Sequence, residues 1–450
     1  MRIKVLLITG VICVVFFIMI KNGKNPELVL KVAYPFNHLI SSYDPAKIHY
    51  DSQYVLLENL YSSLIVYNSD NQLVSGLAER FYWQGNEAWF ELRKGVRTVD
   101  GYEITAKDVE NSFKRLFILG TNTHGDLKKD LCGNVNIKKL SDKCKNLIVK
   151  DKYTVVMRFK EHNPFLFSML TSMDFGIVPE ISIDKKTLNI TDYRNTSGAY
   201  YVDRDLGEGN FILLANHNHF LHKDNTAKVV EIKNSVINGE NKSLEMFKKG
   251  EVDLITTING GIISDVLSYH QDNKKRSNLF ETYKIHLIHL TFTPTGVKNF
   301  SLDERFRIVS LLRKIIISDY KDKRGFEEEY QLFPDFGGGA LTKEQLSKIT
   351  KKINMDVERF DKKIDIWGFP RLAKGNIMDI IKKKFPKAEI HIVRGIPGYV
   401  DYKKVGLKEP DIYFSGGDVS IKEDVTLIAY YMSGYFFHIH GEEGKRWIER

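Results

Sequence analysis

Cysteine is scarce in this 450-residue chain, which holds three. Cys13 falls in an apolar stretch, leaving Cys132 and Cys144 of LCGNVNIKKLSDKC as a nearby pair. Without further good ligands at metal spacing, two cysteines do not make a zinc site. They can close a disulfide if the chain is exported, or stand as unrelated thiols. The short motifs of common catalysis are missing too. There is no Gly-x-Ser-x-Gly elbow, no His-Glu-x-x-His, no Walker-type Gly-Lys-Ser/Thr and no Gly-x-Gly-x-x-Gly. No Ser-His-Asp set or carboxylate pair can be assembled from spacing. Nothing therefore argues for an enzyme, and no cofactor is expected. Neither a repeat period nor a long low-complexity linker occurs.

Acidic residues are absent from the first 24 positions, where Arg2, Lys4, Lys21 and Lys24 flank the apolar run VLLITGVICVVFFIMI at 5–20. A basic flank followed by such a run is the pattern of an export signal. No small-x-small cleavage site follows it, and the run is a little short of the about 20 residues that span a bilayer. Residues 1–24 thus read as a signal peptide or as a membrane anchor through residues 5–20. The formal charge is +9, and setting those four cations aside leaves +5 for the rest. The remaining Lys and Arg are spread and interleaved with acids, which argues against a nucleic-acid binder. With 43% hydrophobic and 27% charged residues, the chain suits a globular protein of about two or three domains.

Strand patterns occur at 28–33, 81–83, 88–92, 153–159, 209–215, 229–237 and 286–292. The pair at 81–83 and 88–92 forms a hairpin signature through Gln84-Gly-Asn-Glu87. Helical spacing marks 53–61, 106–117, 242–249, 303–317, 343–351 and 376–384. Strands and helices alternate throughout, so the fold class is α/β or α+β in more than one lobe. In LRKGVRTVDGYEITAKDVENSFKR (92–115), Asp100-Gly101 is a turn pair. Thr105 serves as N-cap with Asp108 completing a capping box. Val109, Phe113, Leu116 and Phe117 make one apolar stripe. Two polar features stand apart. His217, His219 and His222 have spacing that can hold a transition metal, but they fall between strands, where an exposed polar loop is expected. Phe336-Gly-Gly-Gly339 opens onto a capped helix, either as an anion-holding turn or as a flexible connector.

Residues 61–116 taken in order resemble the signature region of the peptide/nickel family of ABC-transporter solute-binding proteins. The resemblance rests on Leu77-Ala-Glu79, the aromatic hairpin, Leu92-Arg-Lys-Gly-Val96, Asp100-Gly101 and Thr105-Ala-Lys-Asp-Val109. Weaker matches extend it: Tyr43-Asp-Pro45, Ser197-Gly-Ala-Tyr200, Leu213 to Phe220 (the family's Leu-x-Arg-Asn-x-x-Tyr-Trp), Lys249-Gly-Glu-Val-Asp253 and Asp411 to Asp418.

The resemblance implies a two-lobed type II periplasmic-binding-protein fold with an additional domain. Residues 25–55 and 179–258 would form the first lobe, 56–178 the additional domain and 259–450 the second lobe. It implies a monomer outside the cytoplasm, possessing no catalytic residues, that hands short peptides or another small polar solute to an ABC permease. Family members hold a peptide backbone by strand-like hydrogen bonds, and an acidic residue pairs with its α-ammonium. By position that residue is Asp418, with the main chain of Gly416 and Gly417 beside it. Ser415 stands where the family has Trp. The family's chain continues past this segment to return to the first lobe, whereas here it stops at Arg450. These departures point to one alternative, a degenerate relative acting as an envelope interaction or sensor protein; another is a metal or metal-chelate binder of the same family, with His217, His219 and His222 as its candidate ligands.

Overall fold

A computed structural model describes residues 28–36, 42–48, 53–68, 72–120, 125–133, 136–256, 262–280, 285–320, 330, 341–368, 377–392 and 408–419. The apolar run at 5–20, the glycine loop at 336–339 and the chain end lie outside these residues. Among the described residues no helix is long and apolar enough to cross a membrane. The chain divides into two compact units, Met1–Asn278 and Leu279–Arg450.

The first unit contains strands β1 (Val29–Tyr34), β2 (Ile65–Tyr67), β3 (Leu73–Ser75), β4 (Ala78–Gln84), β5 (Glu87–Leu92), β6 (Leu147–Asp151) and β7 (Thr154–Arg158). Further along come β8 (Tyr200–Gly207), β9 (Asn210–Ala215), β10 (Val229–Asn234), β11 (Val236–Ile237), β12 (Glu240–Asn241) and β13 (Leu254–Ile255). One sheet runs β13-β1-β10-β9-β8. Its inner strand β1 pairs in parallel with both β10 and β13, and VLKVAY is correspondingly apolar almost throughout. Leu30, Val32, Tyr34, Leu213 and Ile232 join the helix Tyr54–Leu60 in one buried cluster.

A second sheet, β4-β5-β7-β6, is antiparallel throughout. The expected hairpin closes at Gln84 opposite Glu87, with Gly85 at φ +59° taking the left-handed position that glycine tolerates. Its inward residues Ala88, Phe90, Leu92, Val155 and Met157 share a separate buried cluster with Val109, Phe113, Leu116 and Phe117 of the helix Ala106–Leu119. The capping box forms as expected. Asp108 does more than cap, because it also accepts hydrogen bonds from Tyr102 Oη and Glu180 N at 2.8 Å each. Cys132 and Cys144 are joined as a disulfide at the edge of this core.

The two cores of the first unit are tied by a buried ion pair. Arg115 Nη1 donates to Asp44 Oδ1 at 2.7 Å, Nη2 donates to Oδ2, and Nε donates to Leu188 O at 2.6 Å. Both side chains are almost wholly buried, and Asp44 also caps the short 3₁₀ turn Pro45–Lys47. Further ties explain why distant motifs occur together. The Arg93 guanidinium lies 4.9 Å from the Phe220 ring centre while its Nε donates to Gly76 O. Asp100 accepts from Arg194 Nε and Asn195 Nδ2. Asn216 and Asn218 donate to the carbonyls of Arg97 and Thr98.

The continuous strand expected at 229–237 is broken. Ser235 N donates to Tyr34 O, and Asn234 Oδ1 accepts from Phe36 N and Val236 N. These bonds turn the chain from β10 into a separate β11–β12 hairpin, whose turn places Asn238 and Gly239 at φ +53° and +79°.

The second unit contains β14 (Ile285–Phe292), β15 (Ile364–Gly368), β16 (Ala388–Ile392) and β17 (Ile412–Val419), in the order β14-β17-β15-β16. Ile364, Ile366, Ile412 and Phe414 pack with Ile308, Leu311 and Leu312 of the helix Leu302–Tyr320, and with Ile381 of the helix Ile377–Lys384.

Candidate functional site

The segment that carries Asp418 enters its strand through Asp411. The Asp411 carboxylate accepts from Asn299 Nδ2 and from Asp365 N, both at 2.8 Å. Its carbonyl accepts from Thr293 N, and its N–H donates to Asp365 O. A Cβ on Gly296 would sit 2.1 Å from Asp411 O, so only glycine allows the helix Pro294–Asn299 this close. These bonds fix the start of β17 on both sides.

Beyond that point Ser415, Gly416, Gly417 and Asp418 lie opposite His289, Ile288, Leu287 and His286 of β14. Their backbone is an extended strand. β15 pairs with β17 only at Ile412 and Tyr413. From Phe414 onward, that edge of β17 has no strand partner among the described residues. Gly416 and Gly417 carry no side chain on this strand.

The histidine run departs from expectation. His217 is exposed and His222 half-buried, but His219 is 5% exposed rather than on a solvated loop. Leu221 N donates to His219 Nδ1 at 3.2 Å, which leaves the proton on Nε2 facing Ser62 Oγ at 3.0 Å. Ser62 Oγ in turn donates to Ser197 O. Burial pushes the His219 imidazole down to about 3. With both ring nitrogens engaged inside the fold, the three histidines do not converge on a metal. His219 and Phe220 stand where the resemblance places Tyr and Trp, and this smaller pair lines a small open pocket with Ser62, Ser63 and Ser75.

A different polar cluster forms in the second unit. Asp365 of β15 is in register with Glu389 of β16, and Trp367 with His391. Ligand atoms of Asp365, Glu389 and His391 all lie within 4.8 Å of one another. Burial raises the Asp365 carboxyl above its ordinary range. The signal for this cluster is Asp-x-Trp beside Glu-x-His on neighbouring strands. Neither strand was expected from the sequence, so the two halves could not be aligned.

The model of bacterial extracellular solute-binding proteins, family 5 middle region, matches residues 72–307. The chain belongs to this family, and with it to the solute-binding proteins of ABC transporters. Its fold is that of solved type II periplasmic binding proteins. It is similar to NikA from Brucella suis in complex with Fe(III)-EDTA, at 16% identity and TM-score 0.69, covering 94% of this chain and 86% of that one. It is also similar to OppA from Haemophilus influenzae in complex with RPPGFSPFR, at 15% identity and TM-score 0.65, covering 91% and 83%. A third similar structure is the murein tripeptide binding protein MppA of Escherichia coli, at 16% identity and TM-score 0.63, covering 88% and 81%. At such identities the likeness is one of fold. No curated protein sequence matches the chain.

Proposed function

We propose that this protein captures short peptides, or a related polar solute, outside the cytoplasm and delivers them to an ABC permease without chemical change. The observation that carries the reading is the extended course of Ser415 to Asp418 in β17, the segment that the family resemblance marks for the ligand. Gly416 and Gly417 carry no side chain to keep a ligand backbone from this strand. An extended peptide added there gains main-chain hydrogen bonds that ignore side-chain identity. Asp418, at the end of the segment, is the acceptor for the peptide's α-ammonium. Two of the similar structures name peptide ligands, which supports the same class.

The three buried clusters support a first lobe, an additional domain and a second lobe, expected at 25–55 with 179–258, at 56–178 and at 259–450, although Leu56, Leu57, Leu60 and Tyr61 pack in the first-lobe core and the compact units divide after Asn278. Residues 1–24 serve as signal peptide or anchor in this reading, and the protein acts as a monomer.

Titration calorimetry against a short-peptide library tests the proposal. Asp418→Asn should weaken binding by about 1.5–3 kcal/mol, roughly 10- to 150-fold in Kd. N-acetylated peptides should lose a similar amount on the unaltered protein. Equal affinity for free and acetylated peptides would remove Asp418 from the role. A metal chelate is the second reading, favoured by the likeness to the B. suis protein, and the same titration with a chelate distinguishes it.

A further inference from the structure

We infer that Asp365, Glu389 and His391 form a binding site for a divalent transition metal of the zinc class, on the edge of the second unit's sheet and separate from the solute segment. Ile364 and Ile366 point into the hydrophobic core, so the strand's alternation turns Asp365 and Trp367 to the other face. The parallel register sets Glu389 beside Asp365 and His391 beside Trp367. Two carboxylates and one imidazole are a ligand set that suits zinc or nickel and leaves positions for water.

The carboxylate at the centre is poorly served by the protein alone. Asp365 Oδ1 is shut off from solvent and accepts no hydrogen bond, and His391 Nε2 stands 3.5 Å away from it. Its neighbour Asp411 cannot relieve it, being an acceptor already filled by Asn299 and by the Asp365 N–H. Glu389 is paired with Lys363 at 2.7 Å, but both side chains are more than half exposed. An exposed pair of this kind contributes little and releases its carboxylate readily. Around a zinc ion the donor atoms lie about 3.4 Å apart, so the widest pair must draw in by roughly 1–1.5 Å. Among the described residues β16 is an edge strand, and its Glu389 and His391 can make that adjustment by rotamer change.

The site is distinct from the proposed solute segment. Asp365 is level with Asp411, and Asp418 lies seven residues further along, about 23 Å away along the strand. Metal binding here and peptide binding at Asp418 therefore stand or fall separately.

Calorimetric titration of the full chain with Zn²⁺ is the test, paired with Ni²⁺ quenching of tryptophan fluorescence. Trp367 is fully buried with its ring centre 6.1 Å from that of His391, so quenching should be lost in Trp367→Phe. One ion per chain is expected at micromolar affinity. Asp365→Asn, His391→Gln and the exposed Glu389→Gln should each weaken it by at least the about 10- to 100-fold typical of disturbing a metal's surroundings. Replacing His217 and His222 together by Gln should leave it unchanged. Because Glu389→Gln alters only a half-exposed side chain, it remains informative if the Asp365 variant folds poorly. Absence of Zn²⁺ binding, or binding untouched by Glu389→Gln and His391→Gln, would overturn the site and leave these residues as a charged guard on an edge strand.

Discussion

At the scale of single residues, Arg115 and His219 carry more than their sequence positions suggest. Arg115 closes the signature stretch at 92–115, where it reads as an ordinary basic residue near a helix end. In the fold it is buried against Asp44, some seventy residues earlier, and both guanidinium arms are used. Removing one partner strands a buried charge, so Arg115→Ala should destabilise the protein by about 3–5 kcal/mol in urea unfolding. Replacing both partners, as in Asp44→Leu with Arg115→Met, should recover part of that loss. A double variant no better than the single one would mean that the pair's role is packing rather than charge.

His219 makes a pH prediction with a definite sign. Its folded value of about 3 lies below the ordinary 6.5. The unfolded chain therefore binds the extra proton between those limits, and stability falls as pH drops through that window. Above it the histidine is neutral in both states and contributes no pH dependence. The slope is about 1.4 kcal/mol per pH unit for one proton. Urea midpoints at about pH 6 and pH 4 should separate less in His219→Gln than in the parent. An unchanged difference would show that His219 is not buried neutral.

At the scale of elements, local chemistry was legible and long-range contacts were not. The β4–β5 hairpin, the capped helix Ala106–Leu119 and the helix Lys343–Ile353 each announce themselves through turn glycines, caps and spacing. By contrast, β15 and β16 are short runs whose burial comes from neighbours distant in sequence, and periodicity alone does not raise them. The same limit hid the Asp365 cluster, since it exists only once the two strands are set side by side. The segment at 415–418 was found through its order in a family pattern, and its strand character came from pairing with β14.

Close approaches between elements belong to this scale as well. Gly198 N donates to Leu60 O, and a Cβ on Gly198 would lie 2.2 Å from Asn59 O. Gly198→Ala should therefore push the helix Tyr54–Leu60 off its sheet and lower the melting temperature, whereas Gly133→Ala, with open space around it, should act only through its positive φ. The Cys132–Cys144 bond staples a loop within the second core. Replacing both cysteines by Ala should reduce stability by about 2–4 kcal/mol, read as a lower urea midpoint that reducing agent does not lower further.

At the scale of the whole molecule, the family match and the fold are those of a solute-binding protein. The family match spans the signature hairpin, the capped helix and the start of the second unit. The webs that join Arg93 to Phe220, Asp100 to Arg194 and Asp44 to Arg115 show why those motifs travel together: they are one packed body. The proposed binding feature uses main chain and a single carboxylate, which suits ligands that vary in side chain. The measurement that bears most directly on this account is calorimetric titration of the full chain with a library of short peptides bearing free α-amines. Saturable binding of one peptide per chain, weakened roughly 10- to 150-fold by Asp418→Asn, is the result expected. Absence of heat and of ligand-induced stabilisation across the whole library would contradict it.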